Sequence, residues 1–183
     1  MNQVFFGGSR KISRLNQAVK KRTDNIIANG YRIWLGDDNG ADKAMQKYLS
    51  EKKYQNVLVF CMGDICRNNV GKWKTRNVYS SRNKKDFTYY STKDNLMAEE
   101  ADYGFMLWDG KSKGTLNNIL NLCNRNKKIL VYFSVTENFY NIQYKQDVSE
   151  LLEHCEPDLL RKFDQVLRAY SDVTPGQKQL KFA

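Results

Sequence analysis

Three short stretches of the chain carry residues suited to holding an anion: Gly7-Gly8-Ser9-Arg10, Gly36-Asp37-Asp38-Asn39-Gly40-Ala41-Asp42, and Asp109-Gly110-Lys111-Ser112-Lys113-Gly114-Thr115. Glycine lets a backbone approach a ligand closely, and a helix that starts just after such a turn offers free N–H groups and the positive end of its dipole. One Gly-rich turn says little, and Asp109-Gly110 alone reads equally well as a loop that ends a strand. Three such turns in one chain point to a phosphate-bearing ligand. The third is the most informative, because Lys111 and Lys113 put cations where a helix dipole is already positive, a conflict that a bound anion relieves. Asp37, Asp38 and Asp109 are the candidate catalytic carboxylates if that ligand is also transformed; Glu99 and Glu100 read as a solvated face and Asp102 as structural.

Residues so far apart meet only if secondary structure brings them together. Short apolar runs recur at Val4-Phe5-Phe6, Ile33-Trp34-Leu35, Val57 to Cys61, Phe105 to Trp108 and Ile129 to Phe133, as expected of strands covered on both faces. Between them lie helical periodicities through Ile12, Leu15, Val19 and Ile26, through Ala41, Met45 and Leu49, and through Leu116, Ile119 and Cys123. Strand and helix alternate, which predicts an α/β, doubly wound, mainly parallel sheet of five strands or slightly more, with ligands at the carboxyl ends of its strands. Each of the three stretches follows an apolar run, so all three are expected at that edge.

Two regions depart from the alternation. Residues 62–92 are long for a connection and are expected to form a basic lid or an inserted hairpin. Residues 140–172 read as a helical extension, with Pro157 opening its second stripe, and 173–183 as a loose tail. Between Arg67 and Lys85 stand seven basic residues and no acidic one. Arg67, Lys72, Lys74 and Arg76, with Trp73 as an exposed stacking ring, are the candidate contacts to single-stranded nucleic acid. Trp34 and Trp108 are expected in the core.

The chain has 183 residues, 41% of them hydrophobic, enough for one packed domain and too many for a disordered chain. Thirty Lys and Arg against 20 Asp and Glu give a formal charge of +10, which favours an anionic partner. No signal peptide or membrane-spanning run is apparent. Cys61, Cys66, Cys123 and Cys155 are expected as reduced thiols in a cytoplasmic protein, with no metal site built from Cys61, Cys66 and His154. No cofactor is expected.

The set GGSR after the first apolar run, GADKA opening the second helix, KDNLM ahead of ADYGFMLWDG, and GKSKGT opening the next helix resembles the SLOG superfamily. These Rossmann-like nucleotide-binding proteins include the LOG-type phosphoribohydrolases and the DNA-processing-protein nucleotide-binding domain, and are related to nucleoside deoxyribosyltransferases. The resemblance spans roughly residues 1–135 and implies a Rossmann-like nucleotide-binding domain, with relatives of this type making a homo-oligomer plausible. It implies phosphate or ribose contacts at Gly8, Ser9 and Arg10, a Gly-x-Asp element at Gly40 and Asp42, and the main phosphate turn at Gly114 and Thr115. An Arg-Asn-x-x-Met element falls on Lys93, Asp94, Asn95 and Met97, with lysine in place of arginine. Where the family's hydrolases and transferases carry a catalytic glutamate, three residues past Thr115, this chain has Asn118, an amide that can act neither as nucleophile nor as base. The expected function is therefore to bind a nucleotide or nucleotide-derived molecule as a sensor or sequestering protein. Two alternatives stand beside it: an N-glycosidic hydrolase or transferase using another carboxylate, and nucleic-acid binding through the 67–85 stretch.

Overall fold

The computed structural model describes residues 1–172 apart from 82, 83 and 85. Six parallel strands, β1 (Gln3–Gly8), β2 (Arg32–Leu35), β3 (Val57–Met62), β4 (Lys74–Val78), β5 (Tyr103–Trp108) and β6 (Lys128–Phe133), are joined by an antiparallel β7 (Asn138–Ile142). Within the described residues they form one seven-stranded sheet in the order β4-β3-β2-β1-β5-β6-β7. The helices are α1 (Gln17–Ala28), α2 (Ala41–Glu51), α3 (Phe87–Glu100), α4 (Lys113–Asn124), α5 (Lys145–Glu153) and α6 (Pro157–Asp172).

Alternation along the strands sends neighbours to opposite faces. Val4, Phe6, Ile33, Leu35 and Val59 pack with Val19 of α1 and Met45 and Leu49 of α2, whereas Phe5, Trp34, Phe60, Met106 and Trp108 pack with α3, α4, α5 and α6. The sheet is thus doubly wound, and Trp34 and Trp108 are core residues. Strand order reverses at β1: the chain moves outward through β2, β3 and β4, then returns to lay β5 on the other side of β1. In register, Gly8 of β1 lies beside Leu107 of β5, so the loops after these two strands diverge from adjacent points, and a cleft opens between them.

Both strands beyond the expected five are at the edges. β4 (KTRNV) and β7 (NFYNI) are polar and partly exposed. Edge strands need no apolar run, and the hydrophobic pattern therefore does not reveal them. β4 also corrects the hairpin reading of 62–92: residues 74–78 pair parallel to β3, and α3 begins at Phe87. The first helix starts later than its periodicity suggests. Asn16 caps it by accepting from the Val19 N–H, leaving Ile12 and Leu15 as loop residues packed against the core.

The expected C-terminal helices are α5 and α6. They share a core with the sheet, where Val148, Leu151, Phe163, Leu167 and Tyr170 are buried beside α4. Pro157 opens α6, and the loose tail expected at 173–183 lies outside the described residues. The thiol expectation is corrected: Cys61, at the end of β3, and Cys66 form a disulfide, while Cys123 and Cys155 are buried and free. Spacing gave no hint of this, because the pairing depends on the loop turning back over the strand end. The cysteine argument for a cytoplasmic setting goes with it. Among the described residues no helix is long and apolar enough to cross a membrane.

Candidate functional site

The turn after β5 is built by its own side chains. Asp109 Oδ1 accepts from the N–H groups of Lys111 at 3.0 Å and Ser112 at 2.9 Å and from Ser9 Oγ at 2.8 Å. Ser112 then caps α4, its Oγ accepting from the Thr115 N–H at 3.3 Å and the Thr115 hydroxyl at 3.0 Å. Trp108 Nε1 donates to the Ser112 carbonyl at 3.1 Å and so ties the turn to the core. These bonds leave the N–H groups of Lys113 and Gly114 unbonded among the described residues, at the positive end of a 12-residue helix. A Cβ added at Gly114 would meet nothing within 4 Å. Asp109 is therefore the organiser of the turn.

Opposite stand the loops after β1 and β2. They interlock at Gly40, whose φ is +82° and where a Cβ would collide with the Arg10 carbonyl. Only glycine suits that position. Gly36 is as tight: a Cβ there would collide with Asp42 Oδ2 and stand 2.9 Å from Lys93 Nζ.

A cavity of about 560 Å³ lies between these loops and the start of α3. Of the residues expected to bind ligand, it brings together Gly7, Gly8, Arg10, Asp42, Asp109, Lys111, Ser112, Gly114 and Thr115, and with them the candidate catalytic Asp38. Ser9, Gly36, Asp37, Gly40, Lys93, Gly110 and Lys113 stand behind or beside the wall. Ser9 is fully buried, bridging Asp109 and Thr115; Gly110 has φ +71° and closes the turn; Lys113 is exposed. Sequence reasoning missed Lys11, just past the first glycine-bearing turn, and Asp86, Phe87, Tyr90 and Ser91 at the start of α3, which the length of the 62–92 segment concealed. The motif resemblance pointed to Asp94, Met97 and Asn118, which also line the cavity, but nothing in the sequence pointed to Phe5. Asp94 and Met97 share an α3 face with Tyr90, at steps of four and three residues, a signal that was available in the sequence.

Charge in the wall is arranged around two cations. Lys93 is 1% exposed, with Nζ 3.1 Å from Asp37 Oδ1 and 4.0 Å from Asp38 Oδ2. Arg67 reaches the same pair, Nη2 to Asp37 Oδ1 at 2.8 Å and Nη1 to Asp38 Oδ1 at 2.6 Å. Burial alone would raise the Asp37 carboxyl, but the Arg67 hydrogen bonds and the Lys93 charge outweigh it and hold the group at about 2. Asp37 is thus a fixed anion. Asp42 behaves oppositely: burial pushes it up to about 8 against the pull of Lys93, with Asp38 and Asp94 adding to the rise. Asp94 is raised too, by burial working against Lys93 and the Asn118 hydrogen bond. Arg10, two-thirds exposed, donates to Asp38 Oδ1 at 3.1 Å from the rim.

The 67–85 stretch differs from its expectation. Trp73 is 7% exposed, its Nε1 donating to the Tyr54 carbonyl at 2.8 Å, so it is a buried anchor and no exposed stacker. Its polar N–H finds a partner in the preceding loop, which a search for flanking lysines cannot foresee. Arg76 pairs with Glu100 and Arg67 with Asp37 and Asp38, leaving Lys72 and Lys74 as the exposed cations of the five expected contacts. Arg82 and Lys85 lie outside the described residues. Asp102 is structural as expected, accepting from the Gln3 N–H at 2.7 Å.

No family model and no curated protein matches the chain. Among solved structures it is similar to DNA processing protein A from Helicobacter pylori, described for its single-stranded DNA binding mode. The TM-score is 0.56 at 17% identity, covering 92% of this chain and 81% of that one. At such identity the likeness shows the fold. The SLOG-type resemblance carried by the sequence motifs is thereby borne out as a shared doubly wound architecture.

Proposed function

We propose that this chain binds a nucleotide or nucleotide-derived phosphate ligand in the cleft at the carboxyl ends of β1, β2 and β5, and holds it without breaking its glycosidic bond, as a sensor or sequestering protein. The observation that carries this reading is the first turn of α4. Two N–H groups without partners among the described residues, at Lys113 and Gly114, end a helix beside the cavity, and Arg10, Lys11 and Lys111 stand around its rim. Asn118, which lines the cavity where the hydrolase and transferase members of the resembled family carry a catalytic glutamate, supports holding over cleaving. Thermal melts with mono-, di- and cyclic nucleotides test the proposal. A bound ligand raises the melting temperature by an amount that grows with the logarithm of its concentration above Kd; no shift with any of them rejects it.

Two further readings have an observation behind each. Asp94, beside Asn118 with its carboxyl raised by burial, is suited to general acid work, which supports an N-glycosidase or transferase; release of free base, lost in Asp94→Asn, is its test. The likeness to a protein described as binding single-stranded DNA, together with a charge of +10, supports nucleic-acid binding. Affinity for an oligonucleotide that falls steeply with salt, and falls further when Lys72 and Lys74 are neutralised, is expected of it.

A further inference from the structure

Asn118 presents a polar atom that the protein itself does not satisfy. The residue sits on the second turn of α4, is 6% exposed and lines the cavity. Its Nδ2 donates to Asp94 Oδ2 at 3.3 Å, which fixes the amide, and its Oδ1 has no hydrogen-bond partner among the described residues. A buried acceptor left unpaired costs about 1–3 kcal/mol, so such atoms call for a partner. Its cavity-lining neighbour Asp94 belongs to a group with Asp42 and Asp38 around the buried Lys93, which is itself turned to Asp37. This end of the cavity offers the Asn118 carbonyl oxygen as an acceptor; the other end, at the start of α4, donates through backbone N–H groups.

The spacing of the two ends says what fits between them. From Gly114 to Asn118 is four residues, roughly 6 Å of helix rise. A ligand whose phosphate meets the Lys113 and Gly114 N–H groups therefore sets at Asn118 the group attached next to the phosphate, which in a nucleotide is the sugar. The base extends further, toward Phe87 and Tyr90 at the rim.

We propose that Asn118 Oδ1, held in place by Asp94, is a specificity-determining acceptor that selects a phosphorylated sugar carrying a free hydroxyl one helical turn from the phosphate, so that the cleft prefers ribonucleotides to their deoxy analogues. The inference rests on the phosphate cleft proposed above. A hydroxyl donates to Oδ1, whereas a C–H in its place leaves that atom buried and unpaired, the situation in which polar sites discriminate most strongly.

The test uses the full chain with inorganic phosphate and the four ribonucleoside 5′-monophosphates, each beside its 2′-deoxy and 3′-deoxy analogues, with affinities from calorimetry. At least one deoxy analogue is expected to bind about 10-fold or more weaker than the ribonucleotide. Asn118→Leu is expected to lower ribonucleotide affinity to the deoxy level while leaving inorganic phosphate unchanged; Asn118→Ala, which only removes atoms, serves if the leucine variant melts early. Equal binding of ribo and deoxy forms, or a variant that keeps the preference, overturns this assignment while the phosphate cleft stands. If neither phosphate nor any nucleotide binds, the cleft reading itself fails and this inference with it.

Discussion

Arg67 donates three hydrogen bonds to Asp37, from its backbone N–H at 2.9 Å and Nε at 3.2 Å to Oδ2 and from Nη2 at 2.8 Å to Oδ1. Lys93 approaches the same Oδ1 at 3.1 Å from the other side. The cluster holds the loop after β2 against the cavity, and its two cations are not equivalent: Arg67 is partly exposed, Lys93 fully enclosed. Lys93→Met is therefore expected to destabilise by about 3–5 kcal/mol, since it removes the enclosed cation of a buried ion pair and leaves Asp37 to Arg67 alone, and Arg67→Ala by less. Urea unfolding of both variants checks the order, and a Lys93 variant as stable as the parent refutes it.

Reduction should reach the same cluster from a distance. The Cys61–Cys66 bridge ties the end of β3 to the residue immediately before Arg67. Opening it is expected to cost about 2 kcal/mol by the loop-entropy rule for so short a loop. Amide exchange reports the local effect: after dithiol treatment, or in Cys66→Ser, the Arg67 N–H should exchange faster while the N–H groups of β1 and β5 keep their protection. Unchanged exchange at Arg67 sinks the idea.

Asp42 gives the protein a pH signature. Its carboxyl stays protonated up to about 8 when folded, whereas in the unfolded chain it ionises near 3.8. The stability it contributes is complete below the unfolded value and is lost as pH rises through the folded one. Asp37, held at about 2, has the opposite sign: its contribution is present above 3.8 and is lost as pH falls toward 2. Asp42→Asn mimics the protonated form, so its melting temperature is expected to gain on the parent progressively between pH 4 and 9. Parallel melting curves across that range count against the assignment.

Gly114 offers a clean block of the cleft. With open space where its Cβ would stand, Gly114→Trp is expected to fold normally, within about 1 kcal/mol of the parent for a change directed into the cavity from the first helical turn, yet to lose nucleotide-induced stabilisation. Binding that survives the tryptophan places the ligand elsewhere.

Trp73 separates a structural role from a recognition role. Buried with its N–H bonded to the Tyr54 carbonyl, Trp73→Ala is expected to cost about 3–5 kcal/mol of stability. Trp73→Phe, which keeps a stacking ring, should still lose the hydrogen bond. If instead Trp73→Ala folds as stably as the parent and only weakens oligonucleotide binding, the ring is a stacker after all.

The doubly wound core was legible because its signal is local: β1, β2, β3, β5 and β6 are apolar runs, and Ala41 and Lys113 begin helices just after glycine-bearing turns. Edge strands β4 and β7 carry no such run, and their pairing depends on a neighbour the sequence does not name. The three glycine-bearing turns do line one edge, yet half-hidden in them is a division of labour that spacing cannot show. Ser9 and Asp37 build the wall, with Lys93 of α3 behind them, while Arg10, Asp42 and Gly114 face the cavity. Which of two adjacent aspartates turns inward is decided by Arg67 and Lys93, residues 29 and 56 positions away from Asp38 and Asp37 respectively.

The indole of Trp108 has two neighbours with different allegiances. Its Nε1 holds the Ser112 carbonyl at 3.1 Å, and its ring lies 6.0 Å from that of Phe163 on α6. The C-terminal helix thus buttresses the turn that begins α4, although it contributes no residue to the cavity. A fragment ending near residue 135, where the sequence motifs stop, would keep every cavity-lining residue and lose the prop behind Ser112. For this chain the minimal piece worth expressing is longer than the piece that carries the motifs.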